Sequence, residues 1–123
     1  MTAFLSADFL DEAGRLLTAL DPVGDVDTSI QYVVSGAPDG KLHVAVVIEG
    51  GRVVDVVGDR LDDPPITCTL SYDEARASGT GETTADAAFM RGAIKVEGAH
   101  AVWLLDLRGL RAAALPTIAA LID

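Results

Sequence analysis

Two adjacent glycines, Gly50 and Gly51, constrain this chain more than any other feature. Leu42 to Glu49 (LHVAVVIE) precedes them and Arg52 to Val57 (RVVDVV) follows, both rich in β-branched residues. Two such runs joined by two glycines read as an antiparallel hairpin, because turns that match strand twist need positive φ at their centre. Ser29 to Ser35 (SIQYVVS) is a further strand, and Gly36 to Gly40, with Pro38-Asp39-Gly40, is the turn that joins it to the hairpin. The three runs predict an antiparallel meander. After the polar loop Asp59 to Pro65, Ile66 to Leu70 alternates as a fourth strand.

Helices lie on both sides of this block. Ser6 is a candidate N-cap, and Phe9, Leu10, Ala13, Leu16, Leu17 and Leu20 recur at helical spacing until Asp21-Pro22 ends the run. Ser71 with Glu74 fits a capping box for a short helix, which Ser78-Gly79-Thr80-Gly81 breaks. Thr83 or Thr84 caps the next, through Asp86 to Met90. Ala93 to Glu97 then alternates apolar and charged residues between Gly92 and Gly98, as a half-buried fifth strand does. The apolar block Val102 to Leu107 predicts a helix that Gly109 interrupts, and Pro116 opens a final helix, Thr117 to Ile122. Helices segregated from strands in this order predict an α+β sandwich, its helices packed over one face of the sheet.

Residues 1–123 suit one domain with a sizeable core. Nineteen acids against nine bases give a net charge of −10, which repels phosphate backbones and anionic bilayers and excludes nucleic acid as a partner. Six acids and only Arg15 lie between Met1 and Asp27, so this segment is no basic membrane anchor. No apolar run approaches the ~18 residues of a membrane span, and no signal-peptide pattern opens the sequence. The tail Leu121-Ile122-Asp123 is no peroxisomal address, and a cytoplasmic location is expected.

Residues that could carry chemistry are scattered. His43 and His100 have no companion at metal-ligand spacing, and Cys68 is the one cysteine, in an alternating strand where it reads as a small core residue. Asp55, inside VVDVV, is expected to point to solvent between Val53 and Val57, with Val54 and Val56 on the opposite face. Gly79-Thr80-Gly81 lacks the strand and helix of a phosphate loop. No metal, cofactor or catalytic set is expected.

The stretch Ala88-Phe89-Met90-Arg91-Gly92-Ala93-Ile94-Lys95-Val96-Glu97-Gly98, followed by an apolar helix, resembles the signature of the sterol carrier protein-2 family of lipid-binding domains. The order of elements from about Lys41 to Leu107 is similar as well. The resemblance implies a five-stranded, mainly antiparallel sheet covered on one face by helices, with an apolar tunnel between the layers. It implies non-catalytic binding or carriage of a hydrophobic molecule such as a sterol, fatty acid or other acyl lipid. Phe89, Met90 and Ile94 carry over as tunnel residues, and helical spacing adds Trp103, Leu104, Leu107, Leu110, Leu115 and Ile118. Family members usually have an apolar segment where this chain has the small, polar stretch Glu74 to Glu82, which leaves the pocket open, shallow or rebuilt there. The acidic balance disfavours coenzyme A esters unless Arg91 and Lys95 gather them, so a neutral or singly charged ligand is expected.

Two other readings compete. A filled core would make the chain a structural or interaction domain, acting through a homodimer or a protein partner, with Ala112-Ala113-Ala114, Leu115, Ile118 and Leu121 at the contact. A small enzyme would use Asp55 or Cys68. A continuous apolar void near Phe89 and Trp103 favours lipid; a filled core favours a partner.

Overall fold

The structure is a computed structural model and describes residues 4–38 and 40–122. Asp39, in the Pro38-Asp39-Gly40 turn expected from sequence, lies outside the described residues. Five strands form one sheet in the order β3-β2-β1-β4-β5. They are β1 (Thr28–Ala37), β2 (Gly40–Glu49), β3 (Arg52–Val57), β4 (Ile66–Ser71) and β5 (Ile94–Gly98). The meander forms as the glycine pair dictates, with φ of 58° at Gly50 and 73° at Gly51. β4 then joins the far side of β1 in parallel, Tyr32 opposite Cys68, while β5 returns antiparallel beside β4.

Strand alternation sorts the sheet into two faces. Ile30, Ile66 and Cys68 are buried on one face, and α1 (Ala7–Leu17), α2 (Tyr72–Thr80) and α4 (Arg108–Leu121) pack over it. The other face carries Val33, Val47, Thr69, Lys95 and Glu97, all at least partly exposed. Gln31 is the buried polar residue there, at 5% exposure beside the fully buried Ala45, because the connection from β3 to β4 passes over it. Its amide nitrogen donates to the carbonyls of Asp59 (3.2 Å) and Val44 (3.3 Å), and its amide oxygen accepts from the Leu61 N–H (2.6 Å). A buried amide left unpaired is costly, so this set of bonds satisfies Gln31 and fixes the crossover together.

The helix caps follow the residues read from sequence. Ser6 Oγ accepts from Phe9 N (3.2 Å), Ser71 Oγ from Glu74 N (3.1 Å) and Thr84 Oγ1 from Ala87 N (3.0 Å). The Glu74 carboxylate does not close a capping box; it holds Arg91 at 2.9 Å. α1 stops at Leu17, three residues before the expected end, where Thr18 Oγ1 bonds back to the Gly14 carbonyl (2.7 Å). α3 (Ala85–Met90) is a short connector.

Three local expectations need correction. At the pairing of β2 with β3, Val47 faces Asp55 and Ile48 faces Val53, so a bulge skips Val54 and changes the strand's phase. Val53 is therefore buried inward, Val54 is 39% exposed, and Asp55 stays exposed. Gly109 does not interrupt a helix. It lies in the first turn of α4, where a Cβ would come within 2.9 Å of Val23, so glycine permits a close approach. Pro116 lies inside α4 and does not begin a new helix. Its missing N–H would have met Ala112 O, and both residues are exposed, so water can take the freed carbonyl. Ahead of α4, Val102–Asp106 form a π-helical turn in which Leu107 N donates to Val102 O (2.9 Å).

Candidate functional site

Between the sheet and its helices lies a cavity of about 490 Å³. Its floor is the inner face of the sheet: Ile30, Tyr32 and Val34 of β1, Val44, Val46 and Ile48 of β2, Val53 and Val56 of β3, with Leu70 and Ile94. Phe9, Leu10, Ala13 and Leu17 of α1 close one end. Leu107, Leu110, Ala114, Leu115 and Ile118 come down from the α4 side. The void exists because the inward side chains are largely valine, leucine and alanine. Aromatics are only 5% of the sequence, too few to fill the gap between layers.

The helices and the turns between them also bring polar side chains to the wall. Ser78, Thr83, Thr84 and Asp86 form one lip, and Arg108 and Arg111 form the other. Asp86 joins the lips: its carboxylate meets Arg108 at 2.6 Å and Arg111 at 3.4 Å. The Arg111 guanidinium stacks over the Trp103 ring, 4.3 Å from its centroid, and donates to the carbonyls of Trp103 (3.1 Å) and Leu104 (3.3 Å). At its edge, the Trp103 indole N–H donates to the Tyr32 hydroxyl at 3.2 Å. Burial holds the Tyr32 phenol well above the usual tyrosine range and pushes the Cys68 thiol up to about 12. Ser78 Oγ is buried with no hydrogen-bond partner among the described residues.

The structure brings Ile94, Trp103, Leu107, Leu110, Leu115 and Ile118 into this wall. It does not bring in Phe89, Met90 or Leu104. Met90 is 84% exposed at the end of the six-residue α3, and Phe89 and Leu104 are half-buried outside the cavity. A helix that short buries a single side, and here Ala88 occupies it at 0% exposure. The cationic pair nearest the motif is also elsewhere. Arg91 pairs with Glu74, and Lys95 projects from the outer face towards Glu97 at 3.9 Å; the cations at the cavity are Arg108 and Arg111. The floor from β1 and β2 was legible as strand alternation, and α1 as an apolar stripe. Neither announces a void.

A second depression, about 440 Å³, lies beside the start of α1 where β3 leaves the edge of β2. Lys41, His43, Asp59 and Arg60 mix with Leu5 and Leu10 there, and no apolar enclosure results. Among the described residues there is no group of three or more His, Cys, Asp or Glu able to hold a metal ion, and no helix is long and apolar enough to cross a membrane.

No family model and no curated protein matches the sequence. Solved structures do match the fold. The crystal structure of sterol carrier protein 2 superposes with a TM-score of 0.73 at 13% identity, over 98% of this chain and 99% of that one. A conserved hypothetical protein of Thermus thermophilus, described as possibly a sterol carrier protein, gives 0.73 at 10% identity over 100% and 92%. The palmitated sterol carrier protein 2-like 2 of Aedes aegypti gives 0.65 at 17% identity over 86% and 90%. The parallel β1–β4 junction, the helices on one face and the space between the layers therefore assemble into the sterol carrier protein-2 fold.

Proposed function

We propose that this chain, as one domain, binds and carries a hydrophobic ligand in the cavity without chemical turnover. The observation that carries the reading is the void itself. At about 490 Å³, with a floor built almost wholly of valine, isoleucine and leucine, it falls within the range of small-molecule sites. Transfer of ~0.8 kcal/mol per buried methylene gives an acyl chain ample gross driving force before binding costs are subtracted. Shape complementarity can then be loose, and a broad range of sterols and acyl lipids is the expected cargo. The palmitated Aedes aegypti neighbour supports the acyl class.

The non-catalytic part rests on the residues that an enzyme would use. Cys68 is fully buried with its thiol pushed up to about 12, so almost none of it is the reactive thiolate near neutral pH. Asp55 stands exposed on the outer face of β3, away from the cavity. The proposed setting is the cytoplasm, without membrane insertion. Native mass spectrometry of the purified protein, with organic extraction, tests the reading. A stoichiometric adduct of hydrophobic character, released by extraction, is expected. A bare mass, together with no change in Trp103 fluorescence on adding fatty acids or sterols, would overturn it in favour of an interaction domain.

A further inference from the structure

The charged residues of the cavity wall, with Tyr32, are gathered in one cluster around Trp103. Around α1 and β3 the wall is Phe9, Leu10, Ala13, Leu17, Val53 and Val56, with no hydrogen-bonding side chain. β1, α3 and the first turn of α4 contribute Tyr32, Asp86, Arg108 and Arg111, while the rest of α4 adds apolar side chains. A cavity for a purely apolar molecule would not need this polar cluster, in which the Arg111 side chain is only 20% exposed.

The donors in this cluster are incompletely used. Tyr32 accepts from Trp103, and its own O–H finds no acceptor among the described residues. Arg111 commits Nε and one terminal nitrogen to the carbonyls of Trp103 and Leu104 and to Asp86. Its other terminal nitrogen has no partner among the described residues, and a guanidinium carries five N–H donors. Two guanidinium groups share the single Asp86 carboxylate, so one positive charge remains in excess at the rim. That excess sits in a chain of net charge −10. The Trp103 indole fixes the arrangement, holding Arg111 on its face and Tyr32 at its edge.

We propose that Tyr32 and Arg111 form a polar subsite that receives the head of a single-chain amphiphile bearing one negative charge, the chain running towards α1. The subsite rests on the carriage reading above and adds an orientation and a charge preference to it. A carboxylate fits: one oxygen takes the Tyr32 O–H and the free guanidinium nitrogen donates to the other, while the surplus charge at the rim is neutralised. A head with several negative charges exceeds that surplus, and a cationic head meets Arg108 and Arg111 directly. Charge-assisted bonds in a partly dry site discriminate more strongly than the same groups in water.

The test titrates the wild-type protein with dodecanoate, 1-dodecanol and dodecyltrimethylammonium, each below its micelle concentration, followed by calorimetry and Trp103 fluorescence. Dodecanoate is expected to bind about tenfold or more tighter than the alcohol, with the ammonium weakest. Equal affinities, or an alcohol that binds tighter than the acid, overturn the subsite and leave carriage standing. No binding by any of the three overturns both. In Arg111→Gln the acid-to-alcohol affinity ratio is expected to fall towards unity, and Tyr32→Phe is expected to weaken dodecanoate severalfold. An unchanged ratio in Arg111→Gln, in protein whose near-ultraviolet circular dichroism matches wild type, overturns the role of Arg111. Because the three-ligand series needs no variant, a substitution that prevents folding does not remove the test.

Discussion

Gln31 holds Leu61 across the outer face of the sheet, its side-chain oxygen 2.6 Å from the Leu61 N–H, thirty positions away in sequence. The same amide reaches the carbonyls of Asp59 and Val44, so one side chain fixes the path by which the chain leaves β3 and enters β4. Gln31→Leu keeps the volume and removes every bond. The expected loss is about 2–3 kcal/mol, since buried backbone partners are left unsatisfied. Urea unfolding checks it, and a loss under about 0.5 kcal/mol would mean that water replaces the amide.

Cys68 should report the integrity of the sheet. Its thiol is pushed up to about 12 by burial, from an ordinary value of 9.0. Native protein at pH 8 is expected to resist a thiol-specific disulfide reagent, and urea-unfolded protein to react fully. The sign of the linkage follows. The folded state disfavours the thiolate, so the contribution is whole below about pH 9 and is lost as pH rises towards 12. Cys68→Ala should flatten that alkaline part of the stability profile.

Ala114 faces the cavity at 9% exposure, opposite the sheet floor. Ala114→Leu adds side-chain volume where there is space, so binding is expected to weaken at least tenfold while the melting temperature holds or rises. Leu110→Ala acts the other way, enlarging the void and costing about 2–4 kcal/mol. Ligand titration and thermal unfolding on the same two proteins separate cavity occupancy from stability.

Met90 provides the contrast. It stands in the motif but is 84% exposed and outside the cavity wall. Met90→Gln is expected to change stability by less than about 0.5 kcal/mol and to leave ligand affinity unaltered. A large loss of affinity would place Met90 in the path by which ligand enters.

How much of this the sequence discloses depends on whether a feature is written locally. The Gly50-Gly51 hairpin, the caps at Ser6, Ser71 and Thr84, and β5 between its glycines were all legible, because neighbours in sequence determine each. The bulge at Val54 was not. VVDVV supports either phase, and only pairing with Val47 and Ile48 selects one. Nor does anything in Ile66–Ser71 say that its partner is β1 in parallel, since alternation encodes a face and not a neighbour. The site divides in the same way. Trp103, Leu107 and Leu110 stood out by helical spacing, whereas Tyr32 and Arg111 became visible only once the fold set them around Trp103.

The parallel junction of β1 with β4 also sets when a ligand can be held. Residues before the crossover supply the α1 end of the cavity and most of its floor; residues after it supply α4 and the polar lips. Phe9 and Ile118, both in the wall, stand at opposite ends of the chain. Neither half can enclose cargo until contacts between the two ends of the chain have closed, and contacts so distant in sequence carry a large loop-closure cost. Bound cargo would therefore act as a clasp on the completed topology, slowing the separation of the two halves more than it speeds their meeting.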